Sequence, residues 1–133
     1  MSDASFVPQD RRYTKDHEWV RIEGDTAIVG ITDHAQKAMG DITYVELPPV
    51  GKSVRQFKEL AVVESAKAAS DIFAPVSGTV SEVNAVLESA PETVNKSPYE
   101  KGWVCKLTGV KSAELDDVLS PAQYEAFLEQ EAE

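Results

Sequence analysis

Val62-Val63-Glu64-Ser65-Ala66-Lys67-Ala68-Ala69-Ser70-Asp71-Ile72 leads an apolar run into a small, polar centre, and a second apolar run, Ile72–Val76, leaves it. β-Branched residues on either side of a short breaker segment read as two antiparallel strands joined by a tight tip. Leu60–Glu64 is then the entering strand, Ile72–Val76 the leaving strand, and Lys67 sits on the tip. A tip lysine is ordinarily a solvated surface charge. Here Ala66, Ala68 and Ala69 leave room for a modifying enzyme to grip the turn, and Glu64 and Asp71 flank it. If Lys67 is modified, the protein is a carrier, and its chemistry belongs to the attached group.

Outward from this hairpin the chain continues to read as short strands. Glu18–Ile22 and Thr26–Thr32 flank Glu23-Gly24-Asp25, which is turn chemistry, so they form a first hairpin. Asp33–Met39 reads as a short helix, capped by Thr32 or Asp33 and stopped by Gly40. Ile42–Leu47, Thr79–Val83 and Trp103–Leu107 are further strands. Residues 84–98 carry turn signals at Ala90-Pro91, Asn95-Lys96 and Ser97-Pro98. Ser112–Glu133 reads as helical, with Pro121 opening a second helix behind a Ser120 cap. Residues 1–12 are polar and read as a flexible arm. A mostly β chain with these edge helices predicts a flattened barrel or sandwich. A partial repeat, aligning Val45…Val63 with Val86…Lys106, predicts two halves related by a quasi-twofold axis.

At 133 residues the chain reads as one domain, large enough for a core without disulfides. Its net charge of −10 argues against nucleic-acid binding, which needs a basic surface. The charge fits partners with positive patches, or solubility alone. One cysteine, Cys105, excludes an internal disulfide, and its apolar neighbourhood reads as core. No run approaches a membrane span. Met1–Asp10 has an early acid and no apolar stretch, so it reads as neither signal nor transit peptide, and a cytoplasmic chain is expected.

A catalytic constellation is not legible. His17 and His34 belong to no metal-ligand spacing, and there is no glycine-rich phosphate loop and no nucleophile elbow. The expectation is a protein without catalytic residues and without a metal.

The ordered pieces His17-Glu18-Trp19-Val20, Val29-Gly30-Ile31-Thr32-Asp33-His34-Ala35, Gly40-Asp41-Ile42, Val45-Glu46-Leu47-Pro48, Val63-Glu64-Ser65-Ala66-Lys67, Ser70-Asp71, Ala74-Pro75-Val76-Ser77-Gly78, Val83-Asn84, Ser97-Pro98-Tyr99 and Gly102-Trp103 resemble the H proteins of the glycine cleavage system. Biotin carriers place their lysine between methionines, whereas Lys67 lies between alanines. The lipoyl domains of 2-oxoacid dehydrogenase complexes lack the His-Glu-Trp start and the Ser-Pro-Tyr…Gly-Trp end. One departure is Ala38, where the family often has a histidine.

The resemblance implies a lipoyl-domain-like fold: a single lipoyl-carrier domain over residues 13–133, with a short helix after the first hairpin and C-terminal helices at about 112–130. It implies lipoate in amide linkage to Lys67, attached by a lipoate ligase or a lipoyl/octanoyl transferase. It implies a non-enzymatic shuttle. The partners would be a pyridoxal-phosphate glycine decarboxylase (P protein), a tetrahydrofolate-dependent aminomethyltransferase (T protein) and dihydrolipoyl dehydrogenase (L protein). The carrier itself would be a monomer of bacterial type. It suggests Glu18 for a groove that shelters the loaded arm; Asp71, close to Lys67 in sequence, is the second acidic candidate, and Ile31 and Met39 are candidates for the apolar lining. For Glu18 the alternative is a surface carboxylate, and for Ile31 and Met39 it is core packing. A lipoate donor, relay or scaffold would use the same lysine without the groove.

Overall fold

The structure, a computed structural model, describes residues 5–132. Nine strands form two antiparallel sheets among the described residues. In chain order they are β1 (Arg12–Tyr13), β2 (Glu18–Glu23), β3 (Thr26–Ile31), β4 (Ile42–Glu46), β5 (Ser53–Val54), β6 (Glu59–Ser65), β7 (Ala69–Phe73), β8 (Gly78–Val83) and β9 (Cys105–Thr108). The larger sheet has the order β1-β2-β3-β9-β8-β5, the smaller β4-β6-β7. Helices α1 (Asp33–Met39), α2 (Val86–Ser89) and α3 (Thr93–Lys96) lie in the connections. A 3-10 turn (Ser112–Asp117) leads into α4 (Pro121–Ala132). The mostly β sandwich with a short helix after the first hairpin and helices at the C-terminus is thus present.

Side-chain alternation explains the layers. Successive strand residues point to opposite faces, and β2 and β3 bury both. Val20, Ala27, Val29 and Ile31 join Ile42, Val45, Val63, Ile72, Val80 and Leu107 in the main core between the sheets. Trp19 and Ile28 face outward and pack with Tyr13, Tyr99, Tyr124 and Leu128 in a second cluster. Helix α4 covers that outer face. Its Tyr124 ring stacks on Tyr13 at 4.6 Å, and Arg11 lies 4.6 Å over Trp19. Ser120 caps α4 as expected: its Oγ accepts from Gln123 N–H at 3.2 Å, and Gln123 Oε1 accepts from Ser120 N–H at 2.9 Å, a reciprocal capping box.

Close packing on the second cluster leaves no room for a side chain at Gly30 without a shift of Trp19. A Cβ there would lie 2.6 Å from ring atoms of Trp19, which is itself 1% exposed. Overpacking of this kind costs about 1–3 kcal/mol. Gly30→Ala is therefore expected to lower the unfolding free energy in urea by that amount, and an unchanged midpoint would show that Trp19 can move aside.

Several expectations are corrected. The returning strand of the tip hairpin is Ala69–Phe73, not Ile72–Val76. Residues 84–98, expected as turns, contain two single-turn helices. The aligned repeat fails because Val45 lies in strand β4 whereas Val86 opens helix α2. The arm expected over residues 1–12 is fastened over its described part: Phe6 N–H donates to Asp33 Oδ2 at 3.0 Å, Tyr99 Oη donates to Phe6 C=O at 2.7 Å, and Arg11 donates from its buried guanidinium to Tyr99 C=O at 2.8 Å. Residues 1–4 lie outside the described residues. Cys105 is a core residue, and burial pushes its thiol up to about 12.

Candidate functional site

The Lys67 hairpin belongs to the smaller sheet. Strands β6 and β7 pair in register down to Glu64 and Ala69. Ser65 N–H then donates to Ala68 C=O at 2.8 Å and closes a tip of Ala66, Lys67 and Ala68. Residues 66–71 are all exposed. The amine is thus presented on a turn whose immediate neighbours carry only methyl side chains, which leaves room for an approaching active site.

What lies beside Lys67 is set by a distant part of the sequence. A Cβ on Gly40, the residue that ends α1, would be 3.7 Å from Lys67 Cε, so the stem of the lysine passes over this glycine. Gly40 has φ 78° and ψ −159°, a region essentially restricted to glycine. Asn95 of α3 holds the segment from beneath. Its Oδ1 accepts from Ile42 N–H at 2.8 Å, and its Nδ2 donates to Gly40 C=O at 2.9 Å and Gln36 Oε1 at 3.0 Å. In the sequence Asn95 is legible only as turn chemistry, because these partners lie far back along the chain.

Glu18 is not a surface carboxylate. It is 1% exposed, at the start of β2. Thr14 Oγ1 donates to one carboxylate oxygen, and Phe73 N–H donates to the other at 3.1 Å. The second bond ties Glu18 to β7, the strand that returns from Lys67. Burial pushes its carboxyl up to about 7, against the lowering pull of the hydrogen bonds from Thr14 and Phe73 and helped by the neighbouring charge of Asp16. Glu18 is thus poised to change protonation near neutrality.

The remaining expected groove residues divide. Ile31 is the register partner of Glu18 across β2 and β3, and it is buried in the main core. Met39 is the last residue of α1, next to Gly40, and also packs in that core. Asp71 is exposed on β7, opposite Val62. Ala38, where a histidine is the family's habit, is exposed on the last turn of α1. The structure joins Glu18 to Ile31 and to β7, and it places Met39 next to the glycine under Lys67. It puts Asp71 on the open face of the hairpin.

Comparison with known proteins gives one consistent result. The family model described as glycine cleavage H-protein matches residues 11–131. A glycine cleavage system H protein of Thermus thermophilus is 53% identical over 126 residues, covering 95% of this chain and 98% of the relative. One from Carboxydothermus hydrogenoformans is 50% identical over 129 residues, covering 97% and 99%. Among solved structures, a crystal structure of a glycine cleavage system H protein from Mycobacterium marinum superposes with a TM-score of 0.83 at 36% identity, covering 96% of this chain and all of that one.

Proposed function

We propose, on the premise that this chain belongs to the glycine cleavage H-protein family, that it bears lipoate on Lys67 and carries the aminomethyl group of glycine between enzymes. Its place as a lipoyl carrier of the glycine cleavage system follows from the family. The attachment residue and the partner steps are the proposal. The observation that carries it is the exposed tip of Ala66, Lys67 and Ala68, closed by the Ser65–Ala68 hydrogen bond and open on the side of Gly40.

In amide linkage to the lysine, the lipoyl disulfide supplies a group that takes up a carbon fragment and electrons together by sulfur exchange. The chain's own residues do the rest. The tip exposes the amine to a lipoate ligase or a lipoyl/octanoyl transferase. Tethering at one fixed point keeps the cargo at high effective concentration for whichever partner is docked. Those partners are the glycine decarboxylase, the aminomethyltransferase and dihydrolipoyl dehydrogenase. No residue of the chain is assigned a catalytic role. The net charge of −10 favours partners with basic docking faces and encounter rates that fall with salt.

Glu18 is the residue that answers to the loaded state. An aminomethyl group carries a positive charge, and a cation near a buried carboxyl favours its ionised form. Docking of the loaded arm against the Glu18 seam would then release a proton from a group that titrates at about 7. Because Glu18 is closed off by Thr14 and Phe73, the arm must first open the side-chain link from Glu18 of β2 to Phe73 of β7. Ile31 and Met39 are core residues and would line the arm's path only once the Glu18–Phe73 contact opens, with Asp71 as an exposed acid on the same hairpin as Lys67.

The test is peptide mapping after co-expression with a lipoate ligase. Lipoyl mass is expected on the Lys67 peptide alone, and lipoyl mass on any other lysine contradicts the assignment. Since recognition rests on the shape of the tip, a synthetic peptide spanning Val62–Ile72 should be modified far more slowly than the folded chain. Equal rates would mean that the local sequence suffices.

A further inference from the structure

His17 and His34 match no metal-ligand spacing in the sequence, yet the fold brings them together with Glu131. His17 precedes β2, His34 is on the first turn of α1, and Glu131 is near the end of α4. One potential ligand atom from each lies within 4.8 Å of the others. We propose that His17, His34 and Glu131 form a binding site for a divalent transition metal, with Zn2+ the ion best suited to two imidazoles and one carboxylate.

The chemistry fits a three-ligand site with an open position. Zinc takes imidazole nitrogen and carboxylate oxygen at about 2.0–2.2 Å, so tetrahedral ligand atoms stand roughly 3.4 Å apart. His17 Nε2 and Glu131 Oε1 are already 3.2 Å apart. His34 completes the set by turning its ring out of its stack on His17, where the ring centroids are 4.2 Å apart. His17 and Glu131 keep 17% and 41% side-chain exposure, so an ion can enter from solvent and retain water as its fourth ligand.

An outer shell orients the central ligand independently of the cluster itself. His17 Nδ1 is 2.8 Å from Tyr124 Oη, and Tyr124 Oη is 2.8 Å from Thr32 Oγ1. Thr32 Oγ1 also accepts from Ala35 N–H at 3.2 Å. Without the metal it is Nε2–H that faces the Glu131 carboxylate; when a metal takes Nε2, the remaining ring proton sits on Nδ1 and is donated to Tyr124 Oη. Such hydrogen bonding to the far nitrogen is the usual way a ligating imidazole is held. The backbone contributes as well: His17 has φ 69°, secured by Thr32 N–H to His17 C=O at 3.0 Å and His17 N–H to Thr14 C=O at 3.1 Å. The site would clamp α4 to α1 and to the residue before Glu18.

The experiment is a calorimetric titration of ZnSO4 into the full chain without lipoyl group or affinity tag, since a reduced dithiol or a tag binds zinc itself. One saturable Zn2+ per chain is expected, not displaced by excess Mg2+, together with a rise in melting temperature and movement of the His17 and His34 ring resonances. Glu131→Gln and His34→Gln, each confirmed as folded, should weaken binding at least tenfold and abolish the rise. Absence of saturable binding, displacement by Mg2+, or affinity unchanged in both variants would overturn the proposal.

Discussion

Lys67→Arg is expected to reduce glycine-dependent carbon dioxide exchange, driven by the decarboxylase, to the rate seen without carrier. The loss should be roughly a hundredfold or more, the scale on which tethering raises effective concentration. Arginine keeps the positive charge of the unmodified lysine, whereas the amide-linked lysine of the lipoylated parent is neutral. Its guanidinium cannot form the amide that a lipoate ligase makes on an amine. The fold is untouched, because Lys67 is exposed and the tip is closed by backbone between Ser65 and Ala68. Far-ultraviolet dichroism and the melting temperature should therefore match the parent. Exchange at the parental rate in a folded Lys67→Arg chain would move the attachment point elsewhere.

The second large effect is a pH dependence of stability centred on Glu18. Its carboxyl is raised from 4.5 to about 7 in the folded chain. The folded state therefore holds the proton more tightly than the unfolded state. The stabilisation this provides is fully present below pH 4.5 and is lost as the pH rises through 7. A shift of this size corresponds to about 3 kcal/mol at 1.36 kcal/mol per unit. Glu18→Gln mimics the protonated form: its amide oxygen can accept from Phe73 N–H while the amide nitrogen turns to Thr14 Oγ1. Between pH 5 and pH 8 the parent should lose about 3 kcal/mol relative to this variant, on the order of 10 °C in melting temperature for a chain of this size. Parallel stability–pH curves would show that Glu18 is ionised throughout.

The legible parts of the molecule are those written in local pattern. Thr32 caps α1 and Gly40 ends it, as the residues indicate, because cap and stop chemistry act within one turn. The Lys67 hairpin is visible from two apolar runs around small residues. β1 and β5 are two residues each and carry no periodicity to detect. Pro91 and Asn95 read as breakers, yet Pro91 falls between the single turns α2 and α3, and Asn95 lies within α3. The returning strand begins earlier than its apolar residues do, because Ala69 and Ser70 pair through backbone alone on an exposed face.

The candidate site divides along the same line. Lys67 stands out by its own neighbours, and Glu18 by resemblance to a family. That Glu18 is buried depends on Thr14 and Phe73, one on each side of it in the fold and neither signalled by spacing. Gly40 comes under Lys67 only because α1 docks beside the hairpin, with Asn95 holding the segment between them. The arm at residues 5–12 reads as loose because its anchors, Asp33 and Tyr99, are far along the chain.

The most direct measurement is the mass of the Lys67 peptide after the lipoylated chain has been incubated with glycine and the pyridoxal-phosphate decarboxylase, then digested rapidly. The account predicts a lipoyl-bearing Lys67 peptide that gains an aminomethyl increment only when glycine and the enzyme are both present. It also predicts that this increment disappears on addition of tetrahydrofolate and the aminomethyltransferase. A lipoylated Lys67 that never acquires the increment would contradict the account, since the chain would then bear lipoate without carrying the carbon of glycine.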